Sequence, residues 1–131
     1  VLAMQEALRR GPFFEAIMRN VRGELAECSQ SNLFLVKDGR VTAVDHPDAL
    51  PGITRDTVVE LAGADVRPVT LEELLEADEV FVTGTSAELL PVAALDRRSY
   101  GPAPIANALR TRYLHIVRGG SPTHARWLTP V

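Results

Sequence analysis

Hydrophobic and polar positions divide this chain into short strand-like runs and longer helix-like segments. The first segment, Leu2–Arg10, consists mainly of helix-forming residues and is followed by Gly11, which predicts a helix with a glycine at its end. Short apolar runs between turn residues then predict strands, and the Asp38-Gly39 pair predicts a hairpin. The predicted strands of this first half are Phe13–Met18, Leu25–Cys28, Asn32–Val36 and Val41–Val44.

Two helices are predicted in the middle of the chain. The first is capped by Thr54 or a neighbouring residue and runs to about Ala62. The second opens with a capping box formed by Thr70 and Glu73 and runs to Ala77. The segments around them are predicted to be extended or irregular: a strand near Val66, a strand over Glu79–Thr83, an extended segment over Pro91–Leu95 and a loop over Arg97–Pro104.

The clearest amphipathic pattern lies near the end of the chain, over Ile105–Arg118. Apolar residues four apart predict the buried stripe of this helix: Ile105, Leu109, Tyr113 and Val117. The last residues, from Trp127 to Val131, are expected to form an irregular strap. Because strands and helices follow one another in mixed order without internal repeats, residues 1–131 are predicted to form one domain of the α/β or mixed α+β class.

The composition is that of an ordinary globular domain, with 46% hydrophobic and 24% charged residues among 131. This length is sufficient to bury a core, and no apolar run approaches the roughly 20 residues that a membrane-spanning helix needs. The net charge of -3 and the scattered basic residues indicate neither a nucleic-acid nor a membrane partner. A single cysteine, Cys28, fits a reducing compartment, so we expect a cytoplasmic protein.

Two segments have the composition of anion-binding turns. In Pro51–Thr54 a glycine turn leads into a helix, and in Thr83–Glu88 a strand ends in a glycine flanked by three hydroxyl groups. Backbone N–H groups at a helix N-terminus, together with hydroxyl groups, suit the oxygens of a phosphate. An ordinary helix cap or turn is the alternative for each segment.

Glu27 places a carboxylate inside a strand-like segment, between Ala26 and Cys28. One interpretation is a carboxylate on a solvated strand face. The other is a fixed carboxylate that holds a proton on a ring nitrogen, as a pyridoxal ring requires when it withdraws electrons. The residues by themselves leave both interpretations open.

The other reactive side chains favour structural or solvent-exposed roles. Cys28 has no activating histidine near it in sequence and is expected to be a buried structural thiol. Lys37, the only lysine of the chain, lies at a hairpin tip and is expected to be exposed. The remaining candidates lack metal-ligand spacing or a nucleophile motif, so we predict no metal site: His46, His115, His124, Ser29, Ser31 and Ser86.

Three stretches together resemble the class IV pyridoxal-phosphate aminotransferases, the family of branched-chain and D-amino-acid aminotransferases and aminodeoxychorismate lyase. Residues 27–39 are similar to the family's glutamate-to-hairpin motif, residues 50–55 to its phosphate loop, and residues 77–85 to its second phosphate and substrate loop. The resemblance covers essentially the whole chain in the family's order. It implies the C-terminal, cofactor-binding domain of that fold, a pseudo-barrel of strands with surrounding helices.

The resemblance also implies roles for particular residues in binding the cofactor, pyridoxal 5'-phosphate. Glu27 is expected to pair with the pyridine nitrogen. Ile53 and Thr54 are expected to hold the phosphate through backbone and hydroxyl groups, and Thr85 is expected to add another phosphate contact.

On the substrate side, the resemblance implies that Ser86 and Ala87 line the carboxylate of the substrate. Asn32 and Arg55 also match the family's motifs, and we interpret both as structural supports. The resemblance further implies a homodimer whose small-molecule partners are an amino acid and a 2-oxo acid.

In this family the Schiff-base lysine precedes the helix with which the chain begins. The resemblance therefore places this lysine, and a smaller N-terminal domain, upstream of Val1, and the chain alone is expected to be inactive. The full-length parent is expected to transfer an amino group between an amino acid, with branched-chain amino acids as the leading substrates, and a 2-oxo acid. The alternatives are a D-amino-acid aminotransferase or a 4-amino-4-deoxychorismate lyase and, in another class, a non-catalytic ligand-binding domain.

Overall fold

The computed structural model describes residues 2–11 and 14–128. In chain order, its α-helices are α1 (Leu2–Arg10), α2 (Ile53–Ala62), α3 (Leu71–Leu75) and α4 (Pro104–Val117). A 3-10 helix over Pro122–Trp127 follows α4. The strands are β1 (Ile17–Arg19), β2 (Leu25–Cys28), β3 (Asn32–Lys37), β4 (Arg40–Val44), β5 (Asp65–Arg67), β6 (Glu79–Gly84), β7 (Glu88–Pro91), β8 (Ala94–Leu95) and β9 (Arg98–Ser99).

Five strands form one sheet in the order β5-β4-β3-β6-β7, and two smaller sheets pair β1 with β2 and β8 with β9. Neighbouring strands of the large sheet are antiparallel except for β4 and β5, which run parallel because α2 carries the chain back between them. This combination of sheets and helices confirms the predicted mixed α/β class. In the described part of the chain, no helix has both the length and the hydrophobicity needed to cross a membrane.

Both faces of the large sheet are covered, because side chains alternate along β3 and β6. On one face, Leu33 and Val82 belong to a core cluster that extends to β2 and α3. On the other face, Phe34 stacks on Phe81 with ring centroids 4.7 Å apart, in the cluster that includes α2 and α4. This two-sided burial explains why β3 has a nearly continuous apolar run instead of an alternating pattern.

The structure confirms the predicted first helix, the hairpin and the capping box. The helix α1 has the predicted bounds. The turn between β3 and β4 contains Asp38 and Gly39 with positive φ angles of 49° and 77°, as a two-residue hairpin turn requires. Thr70 and Glu73 form both reciprocal hydrogen bonds of a capping box at the start of α3.

The predicted strand over Phe13–Met18 is wrong in its bounds. The strand β1 covers only Ile17–Arg19; Phe13 lies outside the described residues, and Phe14 is 67% exposed. The physical reason is the length of the partner strand. Ile17 already pairs with Cys28, the last residue of β2. Beyond it the chain bends at Ser29, whose N–H still donates to the carbonyl oxygen of Ala16, but the ladder does not continue.

Two helix ends also differ from the predictions. The helix α2 begins at Ile53, directly after Gly52, whose extended backbone leads into the helix without a side-chain cap. Thr54 therefore lies inside the first turn and does not cap the helix. The helix α3 ends at Leu75 and not at Ala77: Glu76 is its C-cap, and the N–H of Ala77 donates to the carbonyl oxygen of Leu74, only three residues back, as the chain turns toward β6.

The buried face of α4 differs from the predicted stripe. Its buried residues are Ala106, Leu109 and Ile116, whereas Val117 is 39% exposed. Residues spaced strictly four apart rotate by about 40° per step around a helix with 3.6 residues per turn, so the stripe leaves the core after three steps. The helix also begins at Pro104, one residue before its predicted start.

The segments predicted as extended or irregular contain more regular structure. The strand near Val66 is β5, the segment Pro91–Leu95 contains the end of β7 and all of β8, and the loop Arg97–Pro104 contains β9. Trp127, where the strap was expected to begin, ends the 3-10 helix, and residues 129–131 lie outside the described part. Strands of two residues escape sequence prediction because they carry no periodicity.

Candidate functional site

A cavity of about 230 Å³ lies where the C-terminal ends of β2 and β6 meet the N-terminal ends of β3 and α2. Because β3 runs antiparallel to β6, the first residue of β3 and the last residues of β6 lie side by side, at the same end of the two strands. The four predicted cofactor-binding residues line this cavity: Glu27, Ile53, Thr54 and Thr85. The fold thus brings together the strand carboxylate and the two predicted anion-binding turns.

The Glu27 carboxylate is half-buried and is held through a single oxygen. Asn32 Nδ2 donates to Glu27 Oε2 at 3.2 Å, and the backbone N–H of Leu50 donates to the same oxygen at 3.1 Å. These bonds distinguish Glu27 from a carboxylate on a solvated strand face. They favour the interpretation of a fixed carboxylate, with Oε1 as its second acceptor.

Asn32 is buried and connects β3 to the loop before α2. Besides its bond to Glu27, Nδ2 donates to the carbonyl oxygen of Leu50 at 3.0 Å. Its Oδ1 packs against Gly52 so closely that a Cβ at Gly52 would lie 2.2 Å away. These contacts agree with a supporting role for Asn32. No sequence pattern singles out Leu50, because its contribution comes from backbone atoms.

The N-terminal end of α2 forms one wall of the cavity. The backbone N–H groups of Ile53 and Thr54 lie in the first helical turn, where no carbonyl of the same helix can pair with them. The Ile53 side chain is 90% exposed, so this residue offers the cavity its backbone. Arg55 forms ion pairs with Asp45 and Asp56 at 3.4 and 3.2 Å, which agree with a supporting role.

The end of β6 forms a second wall. A Cβ at Gly84 would lie 3.2 Å from the carbonyl oxygen of Gln30, so the two backbones approach closely here. Thr83 lines the cavity, is fully buried, and its Oγ1 has no hydrogen-bond partner among the residues that the structure describes. Because buried hydroxyl groups are nearly always paired, an unpaired one at this wall fits a site for a hydrogen-bonding ligand or water.

Ser86 and Ala87 do not line the cavity with the other predicted residues. They lie on the turn between β6 and β7, where Ser86 is exposed and Ala87 is partly buried. Their neighbour Thr85 is the last cavity-lining residue on this turn. The two residues therefore lie next to the cavity and not in its wall.

Lys37 is exposed, as predicted. Its Nζ donates to the carbonyl oxygen of Glu76 at 3.0 Å and lies 3.7 Å from the Asp78 carboxylate. Five residue steps along β3 separate Lys37 from Asn32, which is roughly 16 Å at ~3.3 Å per strand residue. The lysine therefore cannot reach Glu27.

Cys28 is a buried thiol, as predicted, with 3% of its surface exposed. Burial raises the pKa of the Cys28 thiol, and the nearby Glu15 carboxylate raises that pKa further. Glu15 also accepts a hydrogen bond from Ser31 Oγ at 2.7 Å. Because a thiol is nucleophilic only as its thiolate, these surroundings support a structural role.

His46 is buried, and its ring contacts two exposed acidic residues, which the sequence did not indicate. Its Nε2 lies 3.1 Å from Glu24 Oε2, and its Nδ1 accepts the backbone N–H of Asp48 at 3.1 Å. Within residues 2–11 and 14–128, no group of three or more His, Cys, Asp or Glu side chains is arranged to hold a metal ion.

Residues 1–95, which include every residue that lines the cavity, match the family model described as amino-transferase class IV. The chain belongs to this family. Among class IV relatives, the probable branched-chain-amino-acid aminotransferase of Aquifex aeolicus (strain VF5) is 41% identical over 140 residues, which cover 99% of this chain and 45% of that protein. The branched-chain-amino-acid aminotransferase of Pseudomonas aeruginosa is 37% identical, covering 100% of this chain and 45% of that protein. The chain thus spans a little less than half the length of these curated relatives.

Solved structures of class IV aminotransferases share the fold of this chain. The branched-chain aminotransferase of the archaeon Thermoproteus uzoniensis, solved with norvaline, has a TM-score of 0.91 and 38% identity, covering 98% of this chain and 45% of that one. The branched-chain amino acid aminotransferase of Thermobaculum terrenum in its PLP form has a TM-score of 0.91 and 38% identity, with the same coverage of 98% and 45%. These matches confirm the family resemblance seen in the motifs.

Proposed function

We propose that this chain is the cofactor-binding domain of a class IV aminotransferase and holds pyridoxal 5'-phosphate in the cavity at the start of α2. The observation that carries the proposal is that Glu27 and the first turn of α2 line the same cavity. When bound, the cofactor withdraws electrons from the substrate α-carbon, which is chemistry that side chains alone do not offer. Solved relatives with pyridoxamine 5'-phosphate or in the PLP form support the proposal.

The residues present fit a phosphorylated pyridine. Glycines at positions 52 and 84 keep Cβ atoms out of two tight backbone approaches, and a Cβ at Gly52 would collide with Asn32. The first-turn N–H groups of α2 and the positive end of its dipole favour a phosphate dianion. The unpaired hydroxyl of Thr83 adds a further hydrogen-bonding group to the same cavity.

In this proposal each residue acts on a defined part of the ligand. The backbone N–H groups of Ile53 and Thr54, with the hydroxyl groups of Thr54 and Thr85, bind the phosphate. Glu27 holds a proton on the ring nitrogen, because a carboxylate beside that nitrogen favours its charged, protonated form. The ligand is thereby held at two ends, which fixes the orientation of its ring.

The whole protein is proposed to transfer an amino group between a branched-chain amino acid and a 2-oxo acid. The names of the relatives from Aquifex and Pseudomonas support this substrate class. We place the substrate carboxylate beside Ser86 and Ala87, because their turn borders the cavity at Thr85. We assign the Schiff-base lysine to a part of the protein outside these residues, because Lys37 lies exposed at the far end of β3.

We also propose a homodimer and a cytoplasmic location for the whole protein. Large apolar side chains on the surface, among them Leu2 at 81% and Phe14 at 67% exposure, support a docking role for this end of the chain. The free, buried thiol of Cys28 fits a reducing compartment. Light scattering of the whole protein measures the first expectation, and cell fractionation measures the second.

Pyridoxamine 5'-phosphate tests the cavity without a lysine, because it carries an amine where the aldehyde cofactor reacts with lysine. We expect the protein to bind this compound at least about tenfold more tightly than unphosphorylated pyridoxamine in a fluorescence titration. Glu27→Gln should weaken binding, whereas Glu76→Gln, at the exposed end of α3, should leave it unchanged. Equal affinity of the wild type for both compounds contradicts the proposal.

The substrate class is tested on the whole protein. We expect turnover of an L-branched-chain amino acid with a 2-oxo acid. The assay measures the disappearance of the amino acid that donates the amino group. Turnover of D-amino acids instead, or release of pyruvate from 4-amino-4-deoxychorismate, contradicts the proposed reaction while leaving the cofactor site in place.

A further inference from the structure

Three hydrogen bonds close a ring between β2, β3 and the loop before α2, and we call this arrangement of Glu27, Asn32 and Leu50 the Asn32 ring. Asn32 Nδ2 donates to Glu27 Oε2 at 3.2 Å and to the Leu50 carbonyl oxygen at 3.0 Å. The Leu50 N–H donates to Glu27 Oε2 at 3.1 Å. One amide nitrogen thus ties the carboxylate to the main chain that leads into α2.

We propose that Asn32 is a positioning residue that fixes the Glu27 carboxylate relative to the first turn of α2. The proposal rests on the proposed function, in which Glu27 pairs with a ring nitrogen and α2 binds the phosphate of the same ligand. A pyridine ring is rigid, so the distance between the Glu27 carboxylate and the first turn of α2 must match the distance between the ring nitrogen and the phosphate. Asn32 is the residue that contacts both of these protein groups, Glu27 through Nδ2 and Gly52 through Oδ1.

The geometry at position 32 suits an asparagine. An amide carries two N–H donors on one atom and an acceptor oxygen on the other. The two donors meet acceptors of Glu27 and Leu50, and the oxygen faces Gly52, where an added Cβ would come within 2.2 Å. Aspartate lacks the donors, leucine lacks donors and acceptor, and a serine hydroxyl donates only one hydrogen bond.

The backbone of Asn32 is itself fixed. The residue is 9% exposed and lies opposite Thr83 in the ladder between β3 and β6. The sheet therefore sets the place of the amide, and the amide sets the rotation of the carboxylate. Because both bonds to Glu27 fall on Oε2, Oε1 is the oxygen left for the ring nitrogen.

Loss of the amide has a consequence for the ligand's protonation. Without Asn32, the carboxylate keeps only the Leu50 N–H, and its rotation is no longer fixed. A carboxylate that spends less time beside the ring nitrogen favours the protonated ring less. The ring nitrogen then loses its proton at a lower pH. A role limited to stability lowers the melting temperature and leaves that pH unchanged.

The experiment follows the ring nitrogen directly. Protein loaded with pyridoxamine 5'-phosphate carrying 15N in the ring is titrated with pH, and the 15N resonance is recorded for the wild type, Asn32→Ala and Asn32→Leu. We expect both variants to lower the midpoint by about one pH unit, a tenfold loss of proton affinity. Asn107→Ala, at an exposed position of α4, is the matched control and keeps the wild-type midpoint.

Two further results separate failure of this inference from failure of the proposed function. A wild type that binds inorganic phosphate as tightly as pyridoxamine 5'-phosphate overturns the proposed function and this inference together. A wild type that prefers pyridoxamine 5'-phosphate, with midpoints unchanged in both Asn32 variants, overturns the positioning role alone. If the Asn32 variants do not fold, Gly52→Ala is the alternative, because its added methyl group pushes on the Asn32 amide from the side away from Glu27. We expect the same lowered midpoint in this variant. An unchanged midpoint overturns the inference.

Discussion

The carboxylate of Glu79 accepts a hydrogen bond from the backbone N–H of Ala106, with 2.8 Å between Oε2 and the nitrogen. Its other oxygen accepts the N–H of Ile105 at 3.1 Å. The helix α4 has no side-chain cap at its own N-cap residue, Ala103, so a buried carboxylate from the first position of β6 takes that role. This contact fixes α4 on the sheet, because β6 is a central strand.

We expect Glu79→Gln to lower the free energy of unfolding by about 1–3 kcal/mol, because the amide keeps the shape but loses the charge and one acceptor. Glu79→Ala should lower it further, since it leaves a cavity as well. Urea denaturation measures both values. Glu76→Gln, at the exposed end of α3, is the control and should stay within about 0.5 kcal/mol of the wild type. A Glu79→Gln protein as stable as that control contradicts the capping role.

In Gly52→Ala, the added Cβ would lie only 2.2 Å from Asn32 Oδ1. The backbone before α2 must shift, and we expect a loss of about 1–3 kcal/mol in stability and at least about tenfold weaker binding of pyridoxamine 5'-phosphate. Calorimetric titration measures the binding. Gly101→Ala is the matched control, because nothing lies within 4 Å of a Cβ there. Equal behaviour of the two variants contradicts the close packing of Asn32 on this turn.

The lowered pKa of Glu24 predicts that its carboxylate contributes to the stability of the fold, and that this contribution is lost in acid. Hydrogen bonds from His46, Asn20 and Arg22, in that order of importance, lower the pKa of Glu24 from its ordinary value of 4.5 to about 2. A carboxyl with a lowered pKa in the folded state stabilises the fold fully above its unfolded pKa and loses that effect as the pH falls through its folded pKa. The contribution should therefore disappear between pH 4.5 and pH 2.

Melting temperatures of the wild type and Glu24→Gln over this pH range measure the effect. The variant lacks the titrating group, so we expect the difference in melting temperature between the two proteins to shrink as the pH falls. Glu76→Gln should show no such convergence, since it lies outside this cluster. A difference that stays constant from pH 4.5 to pH 2 contradicts the pKa shift of Glu24.

Cys28 should resist modification in the folded protein. Burial and the Glu15 carboxylate raise the pKa of its thiol, so little thiolate is present near neutral pH. We expect alkylation by iodoacetamide at pH 8 to be at least about tenfold slower than in the same protein unfolded in urea. Mass spectrometry follows the reaction. Equal rates in the folded and unfolded protein contradict a buried, protonated thiol.

Features that depend on residues close in sequence were predictable. The Asp38-Gly39 turn forms because both residues tolerate positive φ, and the bonds between Thr70 and Glu73 span only three residues. The family motifs are equally local, and the four cofactor-binding residues they point to line one cavity. These cavity residues are Glu27, Ile53, Thr54 and Thr85.

Features that depend on distant segments were not predictable. Which residues of α4 are buried depends on where that helix rests on the sheet, and the short β1 reflects the length of its partner strand. Ser86 and Ala87 continue the motif of Thr85, but the turn after β6 carries them out of the cavity wall. Chain order alone does not state where a strand ladder stops.

The sequence by itself determined the elements and the kind of chemistry that its motifs offer, because both depend on neighbours along the chain. Only the tertiary structure decided which groups hold the two important carboxylates. Leu50 lies 23 residues from Glu27, and Ala106 lies 27 residues from Glu79. A carboxylate removed from water must be satisfied by the donors that folding brings beside it. Besides the Asn32 amide, the donors here are backbone N–H groups of Leu50, Ile105 and Ala106, which carry no side-chain signature.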